Sequence, residues 1–174
     1  MNFTELLKSE MKMAYKTTEN LLALVDADKL DWKPSQENNW MTMGQLLKHI
    51  SDACGGGFKG FVTGDWGTPA DVDVSKLLPE EMLPPAAKLP TVDSLDQAKK
   101  LFEDDKKLAY EMLEKCNEDD LNNKIITAPW DPTEKIMGSQ MLMIVTHLTQ
   151  HKCQLFYYLK LQGKPVNTGH LWGA

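Results

Sequence analysis

Two histidines four residues apart, His147 and His151, stand in the middle of a stretch, 138–163, that contains no proline. On a helix this spacing puts both imidazoles on one face, one turn apart. There two nitrogens can share one divalent ion, and imidazole suits zinc, nickel, copper and iron. The same spacing also suits two core histidines, each bonded to a neighbour. The pair lacks the glutamate of a His-Glu-x-x-His zinc protease, and its spacing is one longer than the usual carboxylate–histidine pair. At about 100° per residue, Gln140, Gln154 and Tyr158 extend the two histidines into a narrow polar stripe. Met141, Leu142, Val145, Leu148, Phe156 and Leu159 cover much of the remaining surface. A helix apolar most of the way round is buried, so the stripe faces inward or into a cleft. Gly138 or Ser139 can cap the start, and Gly163 followed by Pro165 is a stop.

A third histidine, His49, falls in the second turn of another predicted helix. Thr42-Met43-Gly44-Gln45 is a capping box that opens it, and apolar residues from Met43 to Val62 carry it to about residue 62. Gln45, Asp52, Ala53 and Gly56 share its side. Asp52 has two readings: a supporting or base role beside a site, or an ion pair with Lys48 or Lys59. Gly55-Gly56-Gly57 interrupts the helix, since each glycine costs a helix interior about 1 kcal/mol relative to alanine. Either the helix bends there, or another element or a ligand approaches its backbone closely. Gly56 lies two turns from His49 on the same side, which reads as space beside a site.

The elements that position these residues are helical. Phe3, Leu7, Met11, Ala14, Thr18, Leu21 and Val25 recur at steps of four and three, a bundle seam over 2–26 that Asn2 or Thr4 can cap. Ser94-Leu95-Asp96-Gln97 is a second capping box opening a helix over 94–116, with the charged run Glu103–Lys107 as its solvated face. Trp32 and Trp40 in the connector 27–41 read as a lid on the end of the core, or as one wall of a pocket. The proline-rich connection 63–93 is a long crossover, with one helical turn near 77–82. Between residues 117 and 137, Lys124–Ala128 reads as an extended piece before a turn at Pro129–Pro132. The expected fold is all-α: a four-helix bundle with a long crossover between helices two and three, in one domain spanning 1–174. Sites in such bundles are made by inward side chains of facing helices. His49 from the second helix and His147 and His151 from the fourth then supply three imidazoles. With an open position, that is the ligand set of a catalytic rather than a structural metal.

Composition excludes other classes. The chain has 174 residues, 42% hydrophobic and 25% charged, as in an ordinary globular domain. Its net charge is −6 and every basic residue is lysine. An acidic chain without arginine is a poor nucleic-acid binder, so no nucleic-acid partner is expected. No apolar run reaches the roughly 18 residues of a membrane span, and no leader pattern opens the chain. Cys54, Cys116 and Cys153 form no Cys-x-x-Cys spacing and read as reduced thiols of a cytoplasmic protein.

Two segments in order, Met43-Gly44-Gln45-Leu46-Leu47-Lys48-His49-Ile50 and His147-Leu148-Thr149-Gln150-His151-Lys152-Cys153-Gln154-Leu155, resemble the DinB superfamily. The continuation Tyr158–Pro165 fits the same pattern. The resemblance covers essentially the whole chain. It implies a four-helix bundle in which His49, His147 and His151 hold a divalent metal, zinc or nickel. It also implies frequent homodimers and, by analogy with thiol-dependent transferases of the family, a low-molecular-weight thiol as the small-molecule partner. Water in place of the thiol would give hydrolysis, and a non-catalytic metal- or ligand-binding stress protein is the alternative. Many relatives carry His-His-Arg-Gly-Gln where this chain has Gln150-His151-Lys152-Cys153-Gln154. The metal triad is intact, and any role of that arginine is absent. His170 lies outside both motifs, in a tail expected to dock. It either packs structurally or folds back towards the metal.

Overall fold

The computed structural model describes residues 2–67, 72 and 84–173. The turn expected near 77–82 and about half of the crossover lie outside them. The described residues are mostly α-helical, with one small antiparallel hairpin that amends the all-α expectation.

Helix α1 spans Phe3–Leu22. Asn2 caps it: its side chain accepts from Glu5 N at 2.9 Å, while the Glu5 carboxylate accepts from Asn2 N at 3.2 Å. Leu7, Met11, Ala14 and Leu21 bury the seam. The helix stops earlier than the hydrophobic repeat, and a 3₁₀ turn follows at Ala27–Lys29. Asp26 and Asp28 sit just past the end, where the helix dipole disfavours negative charge.

The second expected helix is two. Helix α2 spans Met43–Ile50 and opens on the Thr42–Gln45 capping box. Helix α3 spans Gly55–Thr63, and the turn 51–54 separates them. Helix α4, Leu95–Glu114, decides that break. Its Asp105 carboxylate accepts from Gly55 N at 2.7 Å and from Cys54 N at 3.3 Å, capping the restarted helix from across the core. A Cβ on Gly55 would stand 2.7 Å from the Asp105 carbonyl oxygen. Only glycine lets the two backbones come that close. Asp105 is therefore buried, at 7% exposure, and corrects the reading of Glu103–Lys107 as a solvated face. Ser94 caps α4 as expected, but Gln97 reaches past it to accept from Asp93 N.

Helix α5, Glu118–Asn123, leads into β1, Ile125–Ala128, which pairs with β2, Asp131–Ile136. Ile125 faces Ile136 and Ile126 faces Lys135. The polar run of β2 carries no strand periodicity, and Pro132 is tolerated because the two-stranded sheet consists of edges. Helix α6, Met137–Leu161, follows directly. Neither Gly138 nor Ser139 caps it. The preceding residue is Ile136, and Met137 N donates to the Lys124 carbonyl at 2.9 Å, so the hairpin sets its start. The Gly163 stop is present: at φ +79° it lets Lys164 N return to the Leu159 carbonyl at 3.0 Å.

The short helix α7, Thr168–Trp172, docks the tail on α1 and α6. Lys152 of α6, 5% exposed, donates to the Leu171 carbonyl at 2.9 Å. Buried apolar side chains of α1, α2, α3, α4 and α6 form one cluster, including Leu7, Leu47, Phe58, Phe102 and Leu148. Trp32 and Trp40 both pack on Tyr158, at ring-centroid separations of 5.4 and 6.4 Å. Tyr158 donates to the Met41 carbonyl, so the two tryptophans cover one end of α6.

Candidate metal centre

Helix α2 delivers His49 from a tightly held start. Met43 N donates to the Trp32 carbonyl and Gly44 N to the Leu30 carbonyl, each at 2.8 Å. Gln45, one turn before His49, donates to the carbonyls of Ala86 and Leu89 at 2.9 Å each. Helix α6 delivers His147 and His151 from the facing side. All three rings are half-buried.

Their Nε2 atoms converge. His49 Nε2 lies 3.3 Å from that of His147 and 2.9 Å from that of His151, and the remaining pair is 2.8 Å apart. The ring planes stand at 84–89° to one another. The outer nitrogen of one ring is engaged: His151 Nδ1 is 2.6 Å from Gln154 Oε1. An oxygen acceptor at Nδ1 holds the proton there and turns an Nε2 lone pair inward.

Electrostatics agree with neutral rings. Burial first, then His151, His147 and Lys48, hold His49 down at about 4. Burial, then His151, lowers His147, with Ala53 opposing. Burial lowers His151 against the support of Gln154. Three neutral rings with their unprotonated nitrogens in mutual contact repel one another, and a cation among them removes the conflict. The fit is good: the centre of the nitrogen triangle is about 1.7 Å from each vertex. His49, His147 and His151 would hold a divalent ion through three neutral imidazole nitrogens, a set that would leave it free to polarise a further ligand.

Other candidates fall elsewhere. Asp52, 55% exposed, pairs with Lys48, while Lys59 pairs with Asp65 at 2.6 Å. Gly55 and Gly57 face Asp105 and Ile144 in close packing, and Gly56 has no atom within 4 Å of an added Cβ. The His170 ring turns back on its own helix, where Nδ1 accepts from Asn167 N at 3.1 Å. Among the described residues, the group of side chains that could hold a metal ion is His49, His147 and His151. Gln140 is fully buried, and its side-chain amide has no hydrogen-bond partner. Gln154 was legible, three residues after His151 on the polar stripe.

The model of the DinB superfamily matches residues 10–155, a span that contains all three histidines. No curated protein and no solved structure gives a significant match to the chain.

Proposed function

We propose, from the premise that the chain belongs to the DinB superfamily, that it is a divalent-metal-dependent enzyme acting with a low-molecular-weight thiol or water. His49, His147 and His151 are the ligands and zinc or nickel the metal. The scaffold is read as a four-helix bundle in which α2 and α3 together occupy one position beside α1, α4 and α6. The observation that carries the proposal is the convergence of three Nε2 atoms at 2.8–3.3 Å, with Gln154 at the outer nitrogen of His151.

A bound divalent ion supplies Lewis acidity that lowers the pKa of a thiol or water. The chain's own residues supply the rest. Gln154 keeps the His151 lone pair aimed inward. Asp52 is the proposed base, taking the proton of the thiol or water at its carboxylate once it leaves Lys48. The exposed face of α6 carries the uncharged side chains Met143, Tyr157 and Leu161 at 38, 62 and 64% exposure, which supports association of two copies.

The test begins with protein purified without metal-affinity chromatography. Elemental analysis is expected to show about one zinc or nickel per chain, and His147→Ala to show none. The metal-loaded protein is then incubated with a thiol and an electrophile. Adduct formation above the metal-free baseline supports the enzyme, and formation equal to baseline leaves a metal-binding protein without turnover. Asp52→Asn is expected to keep the metal and lose turnover. Full turnover in that variant reduces Asp52 to the partner of Lys48.

A further inference from the structure

We propose that residues 84–89, near the end of the crossover, are a strap beside the metal centre, and that Gln45 is the positioning residue that latches it. The proposal rests on the reading that the three histidines hold a divalent ion. Gln45 and His49 lie four residues apart on α2, on one side of the helix and about 6 Å apart along its axis. Gln45 Nε2 donates to the Ala86 carbonyl and to the Leu89 carbonyl, each at 2.9 Å. Those two carbonyls bracket a 3₁₀ turn, Ala86–Lys88. The chain then keeps to the same end of α2, where a Cβ added to Gly44 would collide with Thr91 Oγ1. The segment is therefore tied to α2 one turn before His49, on the side from which that histidine projects.

The residue type at position 45 points to a latch. The third position of a capping box accepts glutamate or glutamine alike, because the box needs only an acceptor oxygen there. Gln45 Oε1 fills that need, accepting from Thr42 N at 2.8 Å. Glutamate would serve the helix better, since negative charge is favoured at a helix N-terminus. What glutamate lacks is donors. In Gln45 the carboxamide nitrogen serves two carbonyls of the strap, so one side chain caps α2 with its oxygen and holds the strap with its nitrogen.

The strap moves as one piece. Pro84 and Pro85 precede the turn and Pro90 follows it, and each proline restricts its own backbone and that of the residue before it. Lys88 N donates to the Pro85 carbonyl at 2.8 Å and Leu89 N to the Ala86 carbonyl at 3.1 Å, which closes the turn on itself. With the latch made, the strap narrows the approach to the histidines from the α2 side. With the latch broken, metal and ligands exchange faster, while the histidines that set the affinity are untouched.

The experiment follows two rates on the full chain. One is tryptic cleavage after Lys88 in metal-free protein, read by mass spectrometry. The other is removal of bound zinc by phenanthroline, a neutral chelator. Gln45→Glu keeps the cap oxygen and loses the donors. Gln45→Met is the uncharged variant without donors, and Thr42→Ala weakens the cap while leaving the latch. Both rates are expected to rise about 10–100-fold in the two Gln45 variants, the change in open population that two lost hydrogen bonds of ordinary strength produce. Thr42→Ala is expected to stay near wild type in both, and the equilibrium zinc affinity of Gln45→Met to change little. Faster cleavage with unaltered zinc removal overturns the proposal and leaves Gln45 a tie within the fold. A rise confined to Gln45→Glu, a rise matched by Thr42→Ala, or a loss of affinity in step with the faster removal overturns it too. If Gln45→Glu does not fold, Gln45→Met decides alone. A wild-type chain that takes up no zinc overturns the metal reading and the strap with it, whereas wild-type binding with unaltered removal in the Gln45 variants overturns only the strap.

Discussion

Two adjacent glycines should respond to the same substitution with opposite sign. An added Cβ at Gly55 would meet the Asp105 carbonyl oxygen at 2.7 Å, Asp105 Oδ1 at 3.0 Å and Leu108 Cβ at 3.1 Å. The nearest of these is backbone, which cannot rotate away. Relieving it to an ordinary contact means parting α3 and α4 by roughly 0.7 Å, and overpacking of this kind costs about 1–3 kcal/mol. The entropy that alanine removes from the unfolded chain returns at most about 1 kcal/mol. Gly55→Ala should therefore lose about 1–2 kcal/mol. At Gly56 the added carbon has no neighbour within 4 Å, and the helical backbone accepts alanine, so Gly56→Ala should gain about 0.4–1 kcal/mol. For a chain of this length each kcal/mol moves the midpoint by about 2–4 °C. Thermal melts of metal-free protein should then show Gly55→Ala roughly 2–8 °C below wild type and Gly56→Ala about 1–4 °C above it. Two variants with equal melting temperatures would refute the close approach of α4 and with it the explanation of the glycine run.

Three further outcomes follow from the same geometry. Gln154→Ala removes the oxygen 2.6 Å from His151 Nδ1 and should weaken zinc binding about 10–100-fold with little change in melting temperature; unchanged affinity in a chelator competition would show that His151 orients itself. Acidification should destabilise the metal-free chain. His49 sits near 4 in the folded state against an ordinary 6.5, and His147 and His151 are lowered too. The unfolded chain therefore takes up protons first as pH falls, and stability present above about 6.5 is lost on the way to 4. Asp105, raised to about 6 by burial, works the other way between 6 and its ordinary range, because the folded state protonates first. Melts at pH 7.5 and 5.5 should show a fall that is smaller in His49→Asn; a flat profile contradicts the neutral rings. Lys152→Ala deletes the bond to the Leu171 carbonyl and should expose residues 164–173 to limited proteolysis several-fold faster, leaving zinc content at wild-type level; loss of zinc together with the tail would tie the tail to the site.

Much of this protein was legible from one dimension. The i, i+4 spacing of His147 and His151 on a proline-free stretch fixes their common face, because helical geometry is local. The Thr42–Gln45 cap and the Gly163 stop are likewise short-range chemistry, and the structure places both where residue type demands, while of the two candidate caps for the first helix it uses Asn2. The third histidine of the cluster was legible once two helices were taken to face each other, since His49 is the histidine of the second amphipathic segment. What residue order could not convey is what distant backbone does. The single helix expected over 42–62 breaks at 51–54 because a carboxylate fifty residues away caps the restart at Cys54 and Gly55. Asp105 itself sits in a run of charges that any periodicity assigns to solvent, and only the closeness of α3 to α4 buries it. The start of α6 belongs to the hairpin before it rather than to Gly138 or Ser139. Local sequence thus determined which residues could be ligands. Long-range packing decided where the second helix breaks and restarts, because the carboxylate that caps the restart carries no signature of its own in the sequence.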